Sequence, residues 1–353
     1  MKIALNHKCL VALILMLMPS IVVFALGEKR APKPPTPPFP PKAKLLSKTS
    51  NYSISDSAKR SETINYFWTQ FELGAYENID TCITRLKALY LNNPNAGELA
   101  LLIAQAHFWR VAERFRSQQP PSPSISDDLI IAERYLTEAK QLRPNDLRIN
   151  GWLAGVKMSL ASIHNNPKQM RKAYSLAKKS IREYPAFNHF SVAYLFSNHP
   201  HDHKLFQKAI ASFYTSMNIA TRSRVNQTDF DYEQYLHLKA QEKNPRIRRA
   251  VWNGPKARHN LEGFFLIMGD FLTKAGKTKE ALIAYNNAKH IPSYDTWSYQ
   301  DLLANRIQNV EKNTELFRKS SHMLKKDPSN IYSDAFDPNT SMVFNSYNCT
   351  ICH

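Results

Sequence analysis

The segment 346–353, SYNCTICH, sets two thiols and an imidazole within five residues: Cys349, Cys352 and His353. Cysteines separated by two residues can close a disulfide, and sulfur beside imidazole nitrogen suits a soft metal ion. A second cluster, SNHPHDHKLF, gathers His199, His201 and His203 around Asp202. Neutral imidazoles this close together can hold Zn, Cu or Ni from a loop; in an inter-helix turn they stand in solvent instead, with Asp202 near a helix start. A third stretch, QEKNPRIRRAVWNGPKARHN, carries Arg246, Arg248, Arg249, Lys256 and Arg258 around Trp252. Guanidinium forks hold carboxylate or phosphate through paired bonds, so this stretch can receive an anion, the other reading being a solvated loop with one anchoring Trp. The sequence holds no Gly-rich phosphate loop, GxSxG elbow, HExxH pair or carboxylate pair at acid–base spacing, so nothing in it argues for an enzyme.

The order Cys-Thr-Ile-Cys-His resembles the haem-attachment motif of c-type cytochromes. In that family the two thiols add across the haem vinyl groups and the adjacent histidine takes the proximal iron position. The resemblance therefore implies thioethers at Cys349 and Cys352 and an axial ligand at His353. A cytochrome c domain wraps its haem with chain that follows the motif, whereas here the motif occupies the last residues. Met342 and His322 are the nearest upstream candidates for a second axial ligand. Three readings follow: an exposed haem on a flexible tip, a reading frame cut short of its cytochrome portion, or a terminal disulfide or soft-metal site that imitates the motif.

The elements that must carry these groups are helical. Apolar residues make up 43% of the 353 residues, Gly is scarce at 9, and the apolar period from residue 61 to about 325 is that of a helix, with no strand-like alternation. Within this span, GDFLTKAGKTKEALIAYNNAKHIP sets Gly269, Gly276, Ala281, Tyr285, Ala288 and Pro292 in a pattern that resembles the tetratricopeptide repeat. Related spacings recur at Ala132, Leu136, Ala139 and Pro144, at Ala173, Ala177, Ser180 and Pro185, and at Ala209, Phe213 and Ser216. A looser copy runs through Gly74, Tyr76, Ile79, Ile83, Leu86 and Pro94. The resemblance implies an all-α, tetratricopeptide-like α-solenoid of antiparallel helix pairs over 61–325, with a concave surface that binds a protein or peptide. A loop at 117–126 interrupts the second pair. The basic insertion 219–258 is expected either to cover the concave face or to pack as an irregular repeat. Cys82 shares a helical face with Ile79, Ile83 and Leu86 and reads as a small buried thiol.

The flanks suggest a compartment. Lys2 and Lys8 precede an almost wholly apolar run from Cys9 to Gly27, and Ala25 and Gly27 have the small-residue spacing of a signal-peptide cleavage site before Glu28. The run is also long enough to serve as a membrane anchor, and Lys29, Arg30 and Lys33 after it disfavour the exported side. Residues 28–60 begin with the proline tract APKPPTPPFPPK, an extended spacer, and continue as a polar, Ser-rich linker. The formal charge is +18, of which +7 lies in residues 1–48 (eight Lys and Arg against Glu28), leaving +11 for the body. Such a body attracts anionic lipid or an acidic protein; with no RNA-binding aromatic motif or zinc finger, nucleic acid is the lesser expectation. The sequence thus reads as a protein of the bacterial periplasm or cell envelope, a membrane-proximal helical scaffold whose 326–353 tail bears haem c. The competing readings are a cofactor-free interaction scaffold and a periplasmic binder of anionic ligands.

Overall fold

The computed structural model describes residues 54–114, 125–197, 199–238, 253–254, 256–326, 341–343 and 349–353. The expected signal segment, the proline tract and the loop at 117–126 lie outside these residues, save for the flanks of that loop. Among the described residues there are twelve α-helices and no strand beyond an isolated bridge between Gly254 and Ala257. The all-α expectation holds.

The helices follow one another as pairs: α1 (Ile54–Glu72) with α2 (Ile79–Asn92), α3 (Gly97–Ala112) with α4 (Ile125–Leu142), and α5 (Arg148–Ile163) with α6 (Pro167–Glu183). After them come α7 (Pro185–Ala193) with α8 (Lys204–Thr221), α9 (Asn260–Ala275) with α10 (Thr278–Lys289), and α11 (Gln300–Gln308) with α12 (Val310–Lys326). Helix α1 includes Ile54 to Arg60, upstream of the expected span, and Thr63, Phe67 and Phe71 bury one of its faces.

The second helix of each pair presents the same buried triplet at i, i+4 and i+7, which is one stripe of a helix with 3.6 residues per turn. The triplets are Ile79, Ile83 and Leu86; Ala132, Leu136 and Ala139; Ala173, Ala177 and Ser180; Ala209, Phe213 and Ser216; and Ala281, Tyr285 and Ala288, all buried. A sixth, Val310, Thr314 and Phe317, is also buried, though the repeat spacing had not singled it out. In the second, fourth and fifth pairs, small residues at the ends of the stripe let the partner helix approach, and the larger middle residue (Leu136, Phe213 or Tyr285) fills the gap. In the fifth pair the Tyr285 ring lies against Gly269, where any Cβ would collide with it.

The insertion packs rather than projects over its described part. Phe230 and Tyr232 are buried, Tyr232 meets Phe265 edge-on at 5.2 Å between centroids, and Asn287 on α10 bonds both the Phe230 carbonyl (2.7 Å) and the Tyr232 amide (2.6 Å). Arg222 ends α8 in the left-handed conformation, turning the chain into this segment.

Helix α9 is buried on every side from Asn260 to Lys274, including Glu262, Asp270 and Lys274. Burying a charge is costly unless it is partnered. Asp270 pairs with Arg306 Nε at 2.9 Å and accepts from Tyr285 OH at 2.7 Å, while Lys274 donates to the Ser197 carbonyl at 2.7 Å. Asp270 also accepts from the Val343 amide at 2.6 Å, and Arg306 donates to the Ser341 carbonyl at 2.7 Å. The chain beyond α12 is therefore drawn back onto α9.

Candidate functional site

That return brings residues 349–353 against the first helices of several pairs. Thr350–Cys352 form a single 3-10 turn, with Thr350, Ile351 and Cys352 buried and Cys349 and His353 half-buried. Of the three readings of this segment, an exposed tip does not match the burial of residues 350–352. Chain that precedes the motif encloses it, which a sequence pattern tuned to following residues does not register.

Glu113 is the anchor. It caps the C-terminal end of α3 with a fully buried carboxylate. Its Oε1 accepts from the amides of Cys349 (2.7 Å) and Thr350 (2.8 Å), and its Oε2 accepts from Trp109 Nε1 (2.9 Å). A negative charge is unfavourable at a helix C-terminus, where the backbone dipole is itself negative, and the two tail amides compensate it with charge-assisted bonds. On the other side, Trp297 Nε1 donates to the Ile351 carbonyl at 2.9 Å, and Tyr299 OH meets Thr350 Oγ1 at 3.0 Å. The His259 amide donates to the Cys352 carbonyl at 3.2 Å. Gly263 on α9 lies so close that a Cβ there would stand 2.6 Å from Cys352 Sγ and 2.9 Å from the Ile351 carbonyl oxygen. Only glycine admits the turn at this depth.

The His353 ring stacks on Trp68 at 5.8 Å and meets Phe71 edge-on at 4.5 Å. Burial pushes its pKa down to about 4, opposed by the Lys256 backbone carbonyl, so the ring is neutral at pH 7. Its Nδ1 is buried without a hydrogen-bond partner. Both thiols are free. Burial raises Cys352 to about 12, with Glu262 adding to the effect, and raises Cys349 well above the usual thiol range, with Glu113 and Cys352 adding. Such thiols hold little thiolate at neutral pH, a poor state for thiol–disulfide exchange. Tyr194 lies within electrostatic reach of both.

The other predicted groups fall elsewhere. Arg246, Arg248 and Arg249 lie outside the described residues. Lys256 is exposed and holds its ammonium 4.5 Å over the Trp68 ring, at the edge of the tail site. The three histidines lie in an inter-helix turn, the second of their two readings: His199 and His203 stack at 4.4 Å, His203 Nδ1 accepts from the Leu205 amide as the cap of α8, and the His201 carbonyl accepts from Gln207. Among the described residues no three His, Cys, Asp or Glu side chains converge as a metal site. Met342 is buried in the same core as Ile351 and Cys352; the His322 side chain is outside the described residues.

Sequence reasoning missed Glu113, Trp68, Phe71, Trp109 and Gly263. An acid ending an otherwise apolar helix and the aromatic-rich α1 were the only local signals. Comparison with known proteins finds no matching family model, curated protein or solved structure.

Proposed function

We propose that this chain is an exported helical-repeat scaffold carrying a covalently attached c-type haem through Cys349 and Cys352, with His353 as axial ligand, in an electron-transfer role in the cell envelope. The observation that carries the reading is the enclosed tail: two free thiols two residues apart, next to a neutral imidazole whose Nδ1 is buried without a partner. That donor set fits the group. A neutral ring has a lone pair for iron, and an orphaned buried nitrogen is a cost that an external partner removes. Bound haem supplies one-electron exchange.

The chain's own residues have separable parts in this reading. Glu113 fixes the amides at the start of the turn and so sets where both thiols stand. Trp68 and Phe71 pack on the His353 ring and keep water from it, with Trp109 behind Phe71. The apolar run at residues 9–27 supports export, the setting in which such attachment occurs. The tetratricopeptide-like spacing supports a partner protein or peptide on the repeat surface that the tail leaves uncovered.

The test is the intact mass and visible spectrum of protein expressed in a periplasm beside haem-maturation machinery. A haem-sized mass increment and a cytochrome spectrum, both lost in Cys349→Ala, are expected. An unmodified mass, while a control cytochrome matures in the same cells, overturns the haem and leaves a cofactor-free scaffold.

A further inference from the structure

Helix α6 differs from the other helices in the charge it shows to solvent. Lys168, Arg171, Lys172, Lys178, Lys179 and Arg182 are all exposed, and the helix holds one acid, Glu183, 3.5 Å from Lys179. At about 100° per residue, all six cations fall within an arc of about 120°, directly opposite Ala173, Ala177 and Ser180, which bury the other face. The stripe runs from residue 168 to 182, about 21 Å at ~1.5 Å per residue. Lys208 of α8 extends it, its ammonium 3.4 Å from Tyr174 OH. By contrast α4, the equivalent helix of an earlier pair, carries acids and bases together and satisfies Arg134 with Glu138 at 3.1 Å.

Like charges three and four residues apart destabilise a helix. Lys168 stands so to Arg171 and Lys172, and Arg182 to Lys178 and Lys179. Lys168, Arg171, Lys172 and Arg182 have no ion pair among the described residues. An anionic surface relieves this arrangement. No large apolar side chain interrupts the stripe; Ser175 sits at its centre. Protein interfaces depend on aromatic or aliphatic anchors at a desolvated centre and are poor in lysine, whereas anionic lipid headgroups need only charge spread over a plane.

We infer that the exposed face of α6 is a docking surface for an anionic membrane. It is distinct from the N-terminal apolar segment and independent of the haem reading. It orients the repeat body on the bilayer by electrostatics alone, without insertion.

The experiment is flotation of the full chain with vesicles of phosphatidylcholine, with and without about 30% phosphatidylglycerol, across a salt series. Because each cation near an anionic surface contributes additively, the K168Q/K172Q/R182Q variant should lose about 100-fold of the affinity that phosphatidylglycerol adds. In the parent that added affinity should fall steeply as salt rises to about 0.5 M, where screening is nearly complete. The cations that flank the apolar segment (Lys2, Lys8, Lys29, Arg30 and Lys33) also favour phosphatidylglycerol and respond to salt, so only the share of that affinity lost in the variant is assigned to α6. The proposal is overturned if phosphatidylglycerol adds no affinity, if salt leaves that affinity unchanged, or if the variant equals the parent. Retention on immobilised polyglutamate without a preference for anionic vesicles also overturns it, in favour of an acidic protein. A second variant, R171Q/K178Q, on the same exposed face keeps the test open if the first misfolds, which circular dichroism reports.

Discussion

The helix pairs and the tail turn are both buried, but different forces hold them. In the pairs, partners are close in sequence: Ala281, Tyr285 and Ala288 meet a helix that ends six residues before Ala281, and the contact is apolar packing around Gly269. In the tail, Cys349 reaches a carboxylate 236 positions earlier, and the contact is a set of charge-assisted hydrogen bonds in a dry setting. Packing is spread over many small terms, so the pairs hold Ser180 or Ser216 at the position where others have Ala139 or Ala288. The tail rests on a few specific polar contacts, with the Glu113 carboxylate on one side, Trp297 and Tyr299 on the other, and the close approach at Gly263. A repeat array is close to one-dimensional, each unit touching its neighbours; the tail ties its first units to its fifth.

The sharpest way to break the contrast is where the two meet. Arg306 pairs with Asp270 in the body and holds the Ser341 carbonyl of the returning chain, with both side chains fully buried. Arg306→Ala leaves that carboxylate without its cation and is expected to cost about 3–5 kcal/mol in urea unfolding, destabilising body and tail together. A smaller and more selective loss is expected from Glu113→Gln, where an amide NH2 or a neutral oxygen must face the Cys349 and Thr350 amides. Loss of charged hydrogen bonds amounts to about 2–3 kcal/mol. It should appear as earlier cleavage by carboxypeptidase, with the main unfolding transition of the helix pairs nearly unchanged. Equal losses in tail and body would erase the distinction.

The smallest effect is a pH dependence of tail docking. His353 is held neutral, so the undocked tail binds more protons between its ordinary value near ~6.5 and about 4, and docking weakens as pH falls through that window. The thiols are held protonated, so on the alkaline side docking weakens as pH rises from the ordinary thiol range toward about 12. Emission from Trp68, Trp109 and Trp297 reports both limbs. Burial also lowers His107 and His189 in the body; His353→Phe should remove the tail's share of the acid limb and leave theirs.

The same division decides what could be read from sequence. Four of the six buried triplets show as a small-residue stripe with helical period, because the partners lie one helix away, and Ile79, Ile83 and Leu86 show through the flanking Gly74, Tyr76 and Pro94. Val310, Thr314 and Phe317 escaped because no small residue marks either end. The thiols and His353 were legible as chemistry, but their burial was not: no local pattern near residue 350 says that Glu113 and Gly263 will receive it. The histidine cluster was legible as an inter-helix turn, and what spacing alone did not tell is that His203 itself caps α8.

The 236-residue separation of Glu113 from Cys349 has a consequence in time. At ~5–20 residues per second of synthesis, roughly 10–50 s pass between the appearance of the carboxylate and that of the amides that hold it. During that interval the early pairs can form from neighbours alone, while Glu113 Oε1 waits for the Cys349 and Thr350 amides. Closure is then a single late event with a long search, and its rate sets how long the finished chain exposes its most aromatic surface.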